Sequence, residues 1–220
     1  MKTLFLALLV IVTLEASGQN HLVGLTGSIN RTNIRSSNFQ RFADPRLGIS
    51  GGITYEYFLK KRFSVGTDVV YIRQGFRDNF ETPVGQEGTY KFHYDYLSVP
   101  LKAGYTKFGM GNNLSGFAKA GLVPSFLISA ETIMPVFNDN IEITGTETTD
   151  ITSRVSSFDL AGLVEIGGGY KLIDRLWLTA SFMYQHSFTS ITTTEYFSNA
   201  EMRHHGLTFN LGLKWAMKQE

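Results

Sequence analysis

The chain has 220 residues, enough for one domain or two, with net charge +1, 43% hydrophobic, 18% charged and 13% aromatic residues. Charge this low, combined with 22 glycines and many Ser and Thr, argues against a helical bundle, while the aromatics argue against disorder. The near-neutral balance leaves no basic field for nucleic acid, and the absence of Cys removes disulfides, thiolate metal sites, cysteine nucleophiles and a lipobox together.

Lys2 followed by an apolar run from Leu4 to Leu14, then Glu15, Ala16, Ser17 and Gly18, predicts a secretory signal peptide over 1–18 with cleavage before Gln19. The run is too short to span a bilayer as a helix, and no later stretch reaches that length. Residues 19–220 are then a single domain.

From residue 21 on, the dominant period is two, which predicts strands. In chain order the segments are Leu22–Asn30, Leu47–Phe58, Phe63–Ile72, Tyr94–Tyr105, Leu114–Leu127, Phe158–Tyr170, Leu176–Phe188 and Gly206–Trp215. In the last of these, Leu207, Phe209, Leu211, Leu213 and Trp215 alternate with Thr208, Asn210, Gly212 and Lys214. Connections alternate in length. Short ones are Lys60-Lys61-Arg62, Lys107–Asn113 and Ile173-Asp174-Arg175, and long ones follow the odd-numbered segments. This layout predicts an all-β fold, an eight-stranded antiparallel up-and-down transmembrane barrel with short turns on one rim and long loops on the other.

A soluble lipocalin-like carrier would share the alternation but turn its apolar face inward. Three features favour the membrane barrel. The polar face carries only Glu56, Asp68, Lys102, Lys119, Asp159, Glu165 and Lys214, of both signs. Aromatics cluster toward the ends of the apolar face: Tyr55, Tyr57, Phe63, Tyr105, Tyr170 and Trp215 at one rim, Tyr71, Tyr94 and Tyr184 at the other. No helical pattern remains to cover an apolar sheet. The seven charges are expected to form a paired network in the lumen, because unpaired charge in so narrow a space is costly.

The segment Tyr96-Leu97-Ser98-Val99-Pro100-Leu101-Lys102, followed by Gly121-Leu122-Val123-Pro124, by Asp159 with Gly162, Gly167, Gly168 and Tyr170, and by the Leu207–Trp215 ending, resembles the PorT-like, porin-family outer-membrane β-barrel proteins of Bacteroidota. The resemblance covers nearly the whole mature chain. It implies the fold and an outer-membrane location. The named member of that family is tied to type IX secretion, a role that the resemblance does not by itself extend to this chain. The five residues after Trp215 depart from an ending on a final-strand aromatic.

Several motifs could carry chemistry. Gly167-Gly168-Gly169 lacks the Lys-Ser/Thr and helix of a phosphate loop. His186, Ser187 and Glu195 have the residue types of a hydrolase trio, and His204-His205 could ligate a metal, but adjacent residues on a strand point to opposite faces. Arg31, Arg35, Arg41 and Arg46 fall in the first long connection, where they could contact lipid A phosphates or another anionic partner. Glu131, Asp139, Glu142, Glu147 and Asp150 lie among threonines in the third, without calcium-loop spacing, and suit a mobile or partner-binding segment.

The expectation is a monomeric, non-catalytic barrel without cofactor or metal. Its partners would be outer-membrane lipid, the barrel-assembly machinery during insertion, and a protein or glycan at the surface loops. A secretion or envelope-assembly accessory, a narrow pore and a lipid-modifying enzyme are the competing functions.

Overall fold

The computed structural model describes residues 21–36, 43–59, 62–109, 113–139, 141–192 and 201–217. The expected signal peptide, Lys60, Lys61, Arg41 and Glu195 lie outside these residues. Ten strands form one antiparallel sheet: β1 His21–Ser36, β2 Asp44–Phe58, β3 Phe63–Glu81, β4 Glu87–Ser98, β5 Leu101–Phe108, β6 Leu114–Phe137, β7 Ile143–Asp150, β8 Phe158–Ile173, β9 Leu176–Ser187 and β10 Met202–Ala216. The sheet closes because β1 pairs with β10, from Leu22 opposite Ala216 to Ser36 opposite Met202.

The ten strands make eight staves. β4 and β5 form one stave, since both pair with β3 and β6 in a register that runs unbroken across the gap: Ser98 faces Ser125, and Leu101 faces Leu122. The gap has a backbone cause. The Val99 amide donates to the Pro124 carbonyl at 2.9 Å, and the Asp68 amide to the Pro100 carbonyl at 3.1 Å. Neither proline has an N–H to return the bond, so each flanking pair keeps one hydrogen bond of two. The Val-Pro of the motif segment and the later Val-Pro thus meet at one point in the wall. β7 and β8 likewise share the β6 edge, with a 3-10 turn at Thr152–Arg154 between them.

Alternation decides which face is which. Leu25, Ile29, Ile49, Ile53, Val164, Ile166, Phe182, Leu207 and Leu211 point outward and are exposed, with Ile49 at 68%. Their even-numbered neighbours on β1, β2 and β10 point inward. An apolar exterior this continuous is unsuited to water and suited to acyl chains. The lipocalin arrangement is therefore excluded by the direction of the side chains.

Three expectations need correction. Tyr94 is 1% exposed and faces inward, in phase with Ser98, so it is not part of an outer aromatic girdle. The long connections after β3 and β6 are largely strand: β3 runs to Glu81 and returns through a tight turn in which Gly85 adopts a φ of +80° that favours glycine. The segment after β6 continues as the β6–β7 hairpin, whose turn contacts the β3–β4 turn through the Ile143 amide donating to the Gln86 side-chain oxygen at 2.7 Å. On β3 and β4 past the apolar belt the alternation inverts, with Arg73 and Arg77 on the outer face and Phe76, Phe92 and Tyr94 on the inner one, so a reading for outward apolar rows does not reveal it.

Candidate functional site: the sealed lumen and the hairpin rim

The interior begins at the short-turn end with a vestibule of about 520 Å³ framed by Phe58, Phe108 and Trp177. Its roof is a charge network. Glu56 receives Lys119 Nζ on Oε1 and Lys214 Nζ on Oε2, both at 2.7 Å. Beside it Lys102 Nζ lies 2.6 Å from Asp68 and 3.3 Å from Glu165. One triad carries two cations and one anion, the other the reverse, so the six charges sum to zero. Ser64 donates to Glu56 at 2.7 Å and Ser181 to Glu165 at 2.6 Å, using carboxylate lone pairs that the lysines leave free. Gly104 makes room here: a Cβ on it would stand 2.5 Å from Lys119 Cγ.

Asp159 is not part of this network, contrary to the sequence-based expectation. It sits higher on β8, fully buried, and accepts hydrogen bonds from Ser187 Oγ at 2.7 Å and Thr189 Oγ1 at 2.6 Å. The error has a plain origin. Alternation assigns a face but not a height, and β8 carries Glu165 near the lysines while Asp159 lies six residues away along the same inner row. Two hydroxyls in place of a lysine complete its shell.

Above the triads lies a cavity of about 50 Å³ bordered by Ser98, Lys102, Glu165, Gln185, Asn210 and Lys214, and a second of about 10 Å³ beside His204, Gln74 and Thr208. One water needs roughly 10–15 Å³ of such space, so the larger pocket holds a few waters and the smaller about one. The long-hairpin end is closed by an apolar cap of Ile72, Phe76, Tyr94, Tyr96, Ile151 and Val155 with Ala130, Ile191 and Met202. Backbone bonds hold the covering segments down: Ile151 N to Ala130 O at 2.9 Å, and Ser156 N to Ile191 O at 2.9 Å.

Residues that alternation could place but not rank surround the cap. Asn30, Tyr96 and His204 are inward and almost wholly buried, and their Asn30 amide, Tyr96 hydroxyl and His204 ring nitrogens have no hydrogen-bond partner among the described residues. His204 and His205 diverge, one into the cap against Tyr94 and the other outward, and His186 and Ser187 diverge likewise. Ser187 Oγ meets Asp159 directly, with no imidazole between them.

The arginines expected in a loop stand on strands. Arg31 and Arg35 project outward from β1, and Arg46 lies on β2 with Nη1 3.4 Å from the Gln74 carbonyl. Arg41 lies outside the described residues. An outward pair that the sequence did not suggest is Arg73–Asp95, bonded through two contacts at 2.7 and 2.6 Å. The third-connection acids are spread along the β6–β7 hairpin, where Glu142 binds the Asn138 side chain at 2.9 Å.

Over residues 17–193 the sequence matches the family described as outer membrane protein beta-barrel domain. The chain belongs to that family. Its location is the outer membrane, which makes the short-turn end periplasmic and the hairpin end extracellular. No curated protein matches the chain. Among solved structures it is similar to Neisserial surface protein A, at 14% identity and a TM-score of 0.51, over 92% of this chain and 100% of that one. It is also similar to Ail, the attachment invasion locus protein of Yersinia pestis (10% identity, TM-score 0.40, 89% and 99% covered), and to the outer membrane protease OmpT of Escherichia coli (9%, 0.45, 93% and 99%). At these identities the likeness concerns the fold.

Proposed function

We propose that the protein is a non-catalytic outer-membrane barrel that acts by binding a protein or glycan at its extracellular hairpins, with the barrel as their anchor. The observation that carries this reading is β7. It hydrogen-bonds to β6 along one edge and, among the described residues, to no strand along the other. Thr144, Gly145, Thr146, Glu147, Thr148 and Asp150 are exposed along it. A polar strand with an open edge offers backbone donors and acceptors to an extended partner and hydroxyls to a glycan. Plugging of the lumen weighs against the pore reading, and the direct Ser187–Asp159 bond weighs against a hydrolase. A role as an envelope-assembly or secretion accessory would use the same surface.

The test places a photo-crosslinking residue at Thr146 on whole cells, with Leu211 as the lipid-facing comparison. Discrete adducts at 146 and none at 211 are expected, together with no unitary conductance in planar bilayers. Stable ohmic steps from the purified barrel, or an absence of adducts at 146, would overturn the reading.

A further inference from the structure

The outer wall carries a second polar feature, on other strands. Along β1 and β10 the outward apolar rows give way to basic positions, and on β9 His186 stands between the exposed Tyr184 and Phe188. Ile29 is followed outward by Arg31 and Arg35, Leu207 is preceded by His205 and Arg203, and Tyr184 is followed by His186. Register makes these one patch: Arg31 is opposite Leu207, Arg35 opposite Arg203, and His205 opposite His186. The His186 and His205 ring centroids are 6.3 Å apart. Three strands at the usual spacing make the patch about 10 Å wide.

Charge bookkeeping singles it out. On the β3–β4 side of the wall Arg73 is already engaged by both oxygens of Asp95. Among the described residues, Arg31 and Arg35 make no ion pair. The one ion pair of Arg203 among the described residues is with the exposed Glu201 carboxylate, at 2.9 Å. An exposed pair of that kind contributes little and exchanges readily for another anion.

Position then limits what the anion can be. These side chains share the face that Ile29, Leu47 and Leu207 present to acyl chains: Arg31 pairs in register with Leu47 and Leu207 at its upper edge, and Arg35, Arg203 and His205 lie beyond them. Anything that neutralises them must stand at the headgroup level of the outer leaflet. Arginines here can lay their methylene stems along the apolar wall and hold the guanidinium at that level. Guanidinium groups bind phosphate oxygens in pairs, and neutral imidazole can add a further hydrogen bond.

We infer that Arg31, Arg35 and Arg203, assisted by His186 and His205, form a binding site for the phosphates of an outer-leaflet glycolipid of the lipid A class. The site fixes one lipid against the β9–β10–β1 face and is separate from whatever the hairpins bind.

The experiment uses the full mature barrel in mild detergent, titrated with bisphosphorylated lipid A and read by native mass spectrometry. Dephosphorylated lipid A, inorganic phosphate and an Arg62→Gln variant at the opposite rim serve as controls. The combined Arg31→Gln, Arg35→Gln, Arg203→Gln variant should bind the bisphosphorylated lipid at least about tenfold more weakly, since each charge-assisted bond is worth that much or more. Arg62→Gln should bind as the parent does. Heat-modifiable gel mobility should be unchanged in both, because all four side chains lie on the outside. Equal affinity for the dephosphorylated lipid, or an undiminished affinity in a triple variant that retains its heat-modifiable mobility, would overturn the proposal. Displacement of the lipid by millimolar inorganic phosphate would also overturn it, by reducing the patch to a general anion site.

Discussion

At the scale of single residues, Glu56 is the pivot of the lumen. Its two oxygens hold Lys119 and Lys214 apart, each at 2.7 Å. Glu56→Gln leaves two buried ammonium groups facing a neutral amide, and breaking a buried pair on one side costs about 3–5 kcal/mol. Urea unfolding in lipid should show a loss of that order, against less than about 0.5 kcal/mol for Lys107→Gln on the exposed short-turn rim. A matched loss at both positions would show that the interior charges are well hydrated. Tyr96→Phe is the converse case. Its hydroxyl is buried without a protein partner, so removing it should leave stability within about 1 kcal/mol or raise it. The inward set of charges was legible in the sequence because lysines and carboxylates recur at even spacing on the same face as Gly and Ser. Which of them meet was not legible, because height in the lumen depends on the stagger between staves, and Asp159 shows how far a residue in the right row can stand from its supposed partners.

At the scale of elements, alternation located every stave. Segment eight, read as Gly206–Trp215, lies within β10, and its outward row faces lipid. Leu211→Arg should therefore cost about 2–4 kcal/mol near the bilayer midplane. In a chain without native Cys, a cysteine at 211 should be shielded from water-soluble reagents and close to lipid quenchers, whereas one at 210 should not respond to lipid quenchers. Reversal of that pattern would reverse the barrel's polarity. What alternation could not show is where a stave is interrupted or prolonged. The Val99–Pro100 gap depends on a second proline, Pro124, on the neighbouring strand, and that pairing is fixed only by register. β7 escaped notice because its threonines face water on both sides, which removes the hydropathy contrast from which strands are read.

At the scale of the whole molecule, the interior is a stack: an aromatic vestibule, two complementary charge triads, small pockets and an apolar cap. The charge triads and the apolar cap each obstruct bulk flow. Loosening the triads should accordingly not open the barrel, and Glu56→Ala should remain non-conducting in planar bilayers while losing stability. Conductance in that variant would place the barrier at the triads and not at the cap. Closure of the wall has a consequence for how the molecule is made. The β1–β10 seam joins Leu22 to Ala216, the two ends of the described chain, and until it forms both strands present a raw hydrogen-bonding edge to hydrocarbon. Zipping this seam demands the longest loop in the chain, so it carries the greatest entropic penalty of any pairing and falls late in assembly. A chain that lacks its final stave leaves the edges of β1 and β9 unpaired in the bilayer. The final stave thus acts as a checkpoint: the barrel cannot be completed in the membrane before β10 is available to pair with β1.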